Sequence, residues 1–169
     1  MAFWDLFNTN KEETKKHSSL HYELKDKFPE SSEEDLIKLT CISGLLARVA
    51  YVDFDLDKNE KEHMKEALTQ MTEFSTQEVL GIVEIAISHI KELAGLENHK
   101  YIYSLKEVMD RTERYKVVEA LFAIAASDGV VENVESEEIR MIVKGFDLSD
   151  KHFLAARAKV SDKLKALNL

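Results

Sequence analysis

The chain has little that breaks a helix and little that cross-links one. Its 169 residues contain one proline, five glycines and one cysteine. A single thiol, Cys41, excludes an intramolecular disulfide framework and fits a reducing, cytoplasmic setting. Scarce proline and glycine favour helix along the whole length. Positive charge is also short, with a net charge of −9. That argues against nucleic acid or anionic lipid as the main partner, since both need a basic face. It suits cations and basic protein surfaces. No apolar run approaches the roughly 20 residues of a membrane span, and the start, MAFWDLFNTNKEE, has neither the basic nor the apolar region of a secretory signal.

What is present is enough apolar residue, 44%, to fill one core. No segment alternates with period two, whereas several follow helical spacing. Leu36, Leu39, Ile42, Ser43, Leu46 and Val49 form one such face. Val79, Leu80, Ile82, Val83, Ile85, Ala86, Ile87, Ile90 and Leu93 form a segment apolar enough to be buried on most sides. Helix starts are marked by Ser32 and by three capping boxes: Asp57 with Glu60, Ser75 with Glu78, and Asp110 with Glu113. Ser149 caps the last helix. Pro29 ends a short helix over Leu20–Phe28, and another short helix begins near Tyr101. The expected fold is all-α, one domain of seven or eight helices over residues 31–169, with residues 1–30 as an aromatic and polar extension.

Two acidic turns recur at an offset of 75 residues. Asp53 aligns with Asp128, Asp57 with Glu132, and Glu60 with Glu135; Leu46 and Ala50 align with Leu121 and Ala125. This suggests two pseudo-symmetric units, about 36–93 and 111–167, each covering the other's apolar face and bringing the central apolar helices together. Capping explains Asp57, Glu60, Glu135 and Glu132. It does not explain Asp53 and Asp128, which stand at helix C-terminal ends, where the dipole disfavours negative charge. Hydrogen bonds to nearby amides, a hard cation such as calcium or magnesium, or both would compensate. The candidate metal ligands are therefore Asp53, Asp57, Glu60, Asp128, Glu132 and Glu135, with Asp55 as an additional carboxylate. Glu137 and Glu138 crowd the second turn further.

Competing motifs fail on their own chemistry. DFDLDKNEKEHM has acids at the first, third and fifth places of an EF-hand loop. Lys58 replaces its glycine and Met64 its terminal glutamate. Glu60 and His63 give one Glu-x-x-His, without the second copy that a di-iron bundle needs. His17 and His21 share helical spacing but do not define a site. Cys41 and His89 read as core residues. Nothing pairs an activated nucleophile with a base, so the chain reads as non-enzymatic. A metal-dependent hydrolase would need an open coordination position and a base in a cleft. Phe3, Trp4, Leu6 and Phe7 would dock on the domain itself or on a partner protein. A structural adaptor working through an apolar groove or this N-terminus is the alternative to cation binding.

The segment AASDGVVENVESEEIRMIVKGFDLSDKHFLAAR resembles the TerB-like tellurite-resistance family, in its compact stand-alone branch with two such units. The matching pattern is an alanine-rich helix ending in Asp128-Gly129, then Val131 and Glu135. Asp53, Leu56 and Glu60 repeat it upstream, with Phe54 in the glycine's place. The resemblance covers about Leu36 to Val160. It implies an all-helical cytoplasmic module without established catalysis, linked to tellurite and stress resistance, with acidic turns proposed to bind metal. A related domain occurs in membrane-bound co-chaperones. The only proline here, Pro29, lies outside any His-Pro-Asp, which argues against that role.

Overall fold

The computed structural model describes residues 19–51, 58–89 and 98–167. Eight helices fill them: α1 (Ser19–Lys27), α2 (Glu33–Ala50), α3 (Lys58–Met71), α4 (Thr76–Ser88), α5 (Asn98–Val108), α6 (Arg111–Ala125), α7 (Asn133–Gly145) and α8 (Asp150–Leu167). No strand occurs among the described residues.

The caps are where the residue pattern puts them. Ser32 Oγ accepts from the Asp35 N–H at 3.1 Å and opens α2. At α4, Glu78 accepts from the Ser75 N–H at 2.8 Å while Ser75 Oγ accepts from the Glu78 N–H at 3.3 Å. At α6, Glu113 and Asp110 make the same exchange, both bonds at 2.8 Å. Each satisfies amide donors that a first turn leaves open. Ser149 opens α8 differently. Its N–H donates to His152 Nδ1 at 3.1 Å, so a histidine takes the place of the usual glutamate. Asp57 lies outside the described residues, as do Ile90 and Leu93.

One boundary and one burial pattern differ from expectation. α5 begins at Asn98, earlier than the apolar spacing suggests. Its first turn is polar, so periodicity does not register it. α4 is not buried on most sides: Val79, Ile82, Val83 and Ala86 are buried, but Leu80 is 46% exposed. It packs on α1, α2 and α3 at the edge of the bundle. The central helix is α2, where Leu39, Cys41, Ile42, Leu45, Leu46 and Val49 are all fully buried.

Helices α2, α3 and α4 touch one another, as do α6, α7 and α8. The two sets meet where α2 and α3 pack on α6. The contacts between the sets are not matched, since α3 packs closely on α6 while α7 only touches α2; α5 packs on both α2 and α7. It does so over two glycines. A Cβ on Gly44 would meet the Tyr101 ring at 2.6 Å, and one on Gly145 would meet Ile102 at 2.9 Å. Cross-links fix the second set: Arg114 Nη1 donates to the Phe146 carbonyl at 2.6 Å, and the Arg140 guanidinium lies 4.2 Å from the Phe153 ring centre.

Candidate functional site

The second acidic turn begins where α6 runs out. Gly129 adopts φ +96, the left-handed region that suits glycine after a helix. Asp128 then accepts the Val130 N–H on Oδ1 at 3.0 Å. This local turn supplies the compensation that a negative charge at a helix C-terminal end requires. Glu132 stands at the N-cap of α7, and Glu135 Oε2 accepts its N–H at 2.8 Å. Glu135 is buried, whereas Asp128 and Glu132 are exposed. Glu138 pairs with Arg48 of α2, tying the start of α7 to the other set of helices.

The six candidate ligands therefore fare differently. Asp128, Glu132 and Glu135 share one turn but play separate parts in it. Among the described residues no three histidine, cysteine or acidic groups come together as a metal would require. Glu60 is buried at the start of α3, matching Glu135 in position and burial. Asp53 and Asp57 lie outside the described residues, as do Asp55, His17 and the aromatic residues Phe3, Trp4, Leu6 and Phe7.

The reactive side chains are held in place by the fold. Cys41 is fully buried, and burial pushes its thiol far above the ordinary range despite a hydrogen bond involving Ser104. His21 is buried against α2, and burial lowers its pKa; Glu33 opposes the shift and Lys25 adds to it. His89 Nε2 lies 3.2 Å from Glu23 Oε1, joining the end of α4 to α1. His63 of the Glu-x-x-His lies 3.3 Å from Glu66 and lines a cleft of about 400 Å³ among α3, α6 and α8.

A larger cleft, about 660 Å³, opens at one end of the bundle. It forms where the α1–α2, α3–α4 and α5–α6 links come together. Met71, Phe74 and Met109 give it apolar walls. Asp35, Glu78 and Glu113 stand on its rim, and each is the third residue of a helix that starts there. Glu30 and Glu73 add two exposed carboxylates; Lys38 and Lys116 are the opposing cations. Sequence reading missed this cleft. Its signal is the alternation of helix direction in an antiparallel bundle, which brings every second link to the same end. Phe74 and Met109 each directly precede an N-cap, a place where apolar residues commonly pack.

With this geometry established, the family comparison is decisive. A family model described as Tellurite resistance protein TerB matches residues 39–158. The chain belongs to that family. The match runs from α2 into α8 and takes in both acidic turns, but it leaves out α1 and everything before it. Comparison with curated proteins and with solved structures gives no match. As a TerB domain the chain is a helical module of the tellurite-resistance type, and none of its described helices is long and apolar enough to cross a membrane.

Proposed function

We propose that this TerB domain is a non-catalytic module that works by binding, acting in cytoplasmic stress resistance, and that its second acidic turn holds the fold together. The observation that carries this reading is the engagement of the turn's carboxylates with backbone donors. Asp128 accepts from the Val130 N–H, and Glu135 from the Glu132 N–H. The buried, high-pKa thiol of Cys41 and the side-chain partners of His63 and His89 support it.

Substitutions at Asp128 separate holding a turn from holding a cation. Asp128→Asn keeps an acceptor oxygen, so near-native stability is expected. Asp128→Ala removes it and should cost about 0.5–1.5 kcal/mol, the usual net value of one hydrogen bond. Calorimetric titration of metal-stripped protein with calcium, magnesium, manganese and zinc salts completes the test. Saturable binding that disappears in Asp128→Asn would refute the structural role.

A cation at the first turn is the second reading. It is favoured by the run of carboxylates at Asp53, Asp55, Asp57 and Glu60, since a hard cation takes several oxygen ligands from one compact loop. Binding lost in Asp53→Asn but kept in Asp128→Asn would assign the ion to that turn.

A further inference from the structure

We infer that the cleft at the α1–α2, α3–α4 and α5–α6 links is a docking site for a basic amphipathic segment of a partner protein, one that presents an apolar side chain flanked by lysine or arginine. This deepens the reading that the module works by binding, and it names the surface and the partner's chemistry.

The walls of the cleft select an apolar side chain. Met71 and Phe74 are partly buried and Met109 is almost fully so, yet all three face an open space of about 660 Å³. Methionine is unbranched and polarisable, and it adapts to varied apolar partners. Phe74 is braced from behind by Phe28, with ring centres 4.8 Å apart. An apolar side chain entering there would meet a preformed wall.

The rim selects the sign of the partner's charge. Five carboxylates, Glu30, Asp35, Glu73, Glu78 and Glu113, face two lysines. Lys38 is already drawn to Glu34 at 3.0 Å and Glu113 at 3.7 Å. Asp35, Glu78 and Glu113 serve helix starts, and the positive ends of those helices offset part of their charge. Glu30 and Glu73 serve no cap, and no hydrogen bond or ion pair engages them among the described residues. They make the mouth of the cleft net negative. A polar, net-negative groove with an apolar patch of Met71, Phe74 and Met109 inside it is complementary to a basic amphipathic segment that seats one apolar side chain there.

The experiment follows methionine methyl resonances of the full chain during titration with a synthetic amphipathic peptide of leucine and lysine. A twin peptide with glutamate for lysine serves as the control. The expected result is that Met71 and Met109 shift, Met141 on the far helix α7 does not, and the glutamate twin has no effect. Glu30→Lys/Glu73→Lys should weaken binding by about tenfold or more and reduce its salt dependence. Glu84→Lys/Asp162→Lys, with the same change in net charge away from the cleft, should not.

Equal weakening in the second variant would reduce the effect to overall charge and overturn the proposal. So would shifts that ignore the peptide's charge, or no shift at all. If Met71 and Met109 respond instead to Trp4→Ala without peptide, the occupant is the chain's own N-terminal segment. If they respond to dilution, it is a second copy. Either outcome overturns the basic-partner assignment. The cation titration bears on the binding reading separately, because no residue substituted there lines this cleft.

Discussion

Replacing Gly44 with alanine tests whether α5 is seated as described. The added Cβ would lie 2.6 Å from Cε1 and Cζ of Tyr101 and 3.1 Å from Cδ1. Comfortable carbon–carbon contact is about 3.5–4.0 Å, so the ring has to retreat by roughly an ångström. Tyr101 is only 1% exposed, and its surroundings are packed too densely to yield easily. Overpacking of this kind costs about 1–3 kcal/mol. A rigid aromatic ring as the obstacle puts the cost near the top of that range. Alanine returns about 1 kcal/mol by its better helix propensity. The net expectation is a loss of about 1–2 kcal/mol, or roughly 2–8 °C in Tm for a domain of this size. Urea denaturation followed by far-ultraviolet circular dichroism measures it. In a Tyr101→Leu background the offending ring atoms are gone, and Gly44→Ala should become neutral or stabilising. Gly81→Ala is the companion control: its Cβ would meet only the movable end of Lys27, so a gain of about 0.5–1 kcal/mol is expected. A neutral Gly44→Ala in the native background, or an equal loss in both backgrounds, would refute the packing of α5 on α2.

Two further outcomes follow from buried groups. His21 has its pKa lowered from 6.5 by burial, so the folded protein favours the neutral ring. Its contribution to stability is fully present above the unfolded value and is lost as pH falls through 6.5 toward the lower folded pKa. The urea midpoint should therefore drop on acidification, and drop less in His21→Gln; identical pH profiles would remove His21 from the account. Cys41 should resist a thiol reagent such as dithionitrobenzoate in the native state, because burial both shields the thiol and disfavours the thiolate, and it should react at once in denaturant. Rapid native labelling would show that α2 opens.

Four of the helices were legible because each carries its own punctuation. Ser32, Ser75, Asp110 and Ser149 begin helices in the structure as in the sequence, and Pro29 follows the end of α1. The family resemblance was legible for a related reason: Asp128, Gly129 and Glu135 form one local unit, and the backbone between them sets its shape. Burial was less legible. The longest apolar run became α4 at the edge, and α2, with Thr40 and Ser43 on it, became the centre. Periodicity reports which face is apolar and is silent on how many neighbours cover it. The close approach of α5 to Gly44, the Arg48–Glu138 pair and the large cleft all depend on residues far apart in sequence. A single chain gives no local sign of such meetings.

The acidic character of the molecule has two physical origins, and separating them clarifies where a partner would act. One origin is the need to start helices. The side chains of Glu78, Glu113 and Glu135 accept N-cap amide protons, and a carboxylate does this well because it also meets the positive end of the helix dipole. α2, α4 and α6 start at the same end of the bundle, so their third residues gather around one cleft as a consequence of topology. Such charge is largely internal to the fold, and its presence alone says nothing about a ligand. The other origin lies outside helix capping. Glu30 and Glu73 hold no helix start, yet they stand beside the same apolar walls. Capping accounts for neither them nor the apolar patch of Met71, Phe74 and Met109 that lies in the solvent-open cleft. The apolar patch and the two unengaged carboxylates share one explanation if both are kept for a basic partner. For that reason the charge-reversed pair Glu30→Lys/Glu73→Lys is the more discriminating variant: it leaves every cap in place and changes only the charge that the fold does not use.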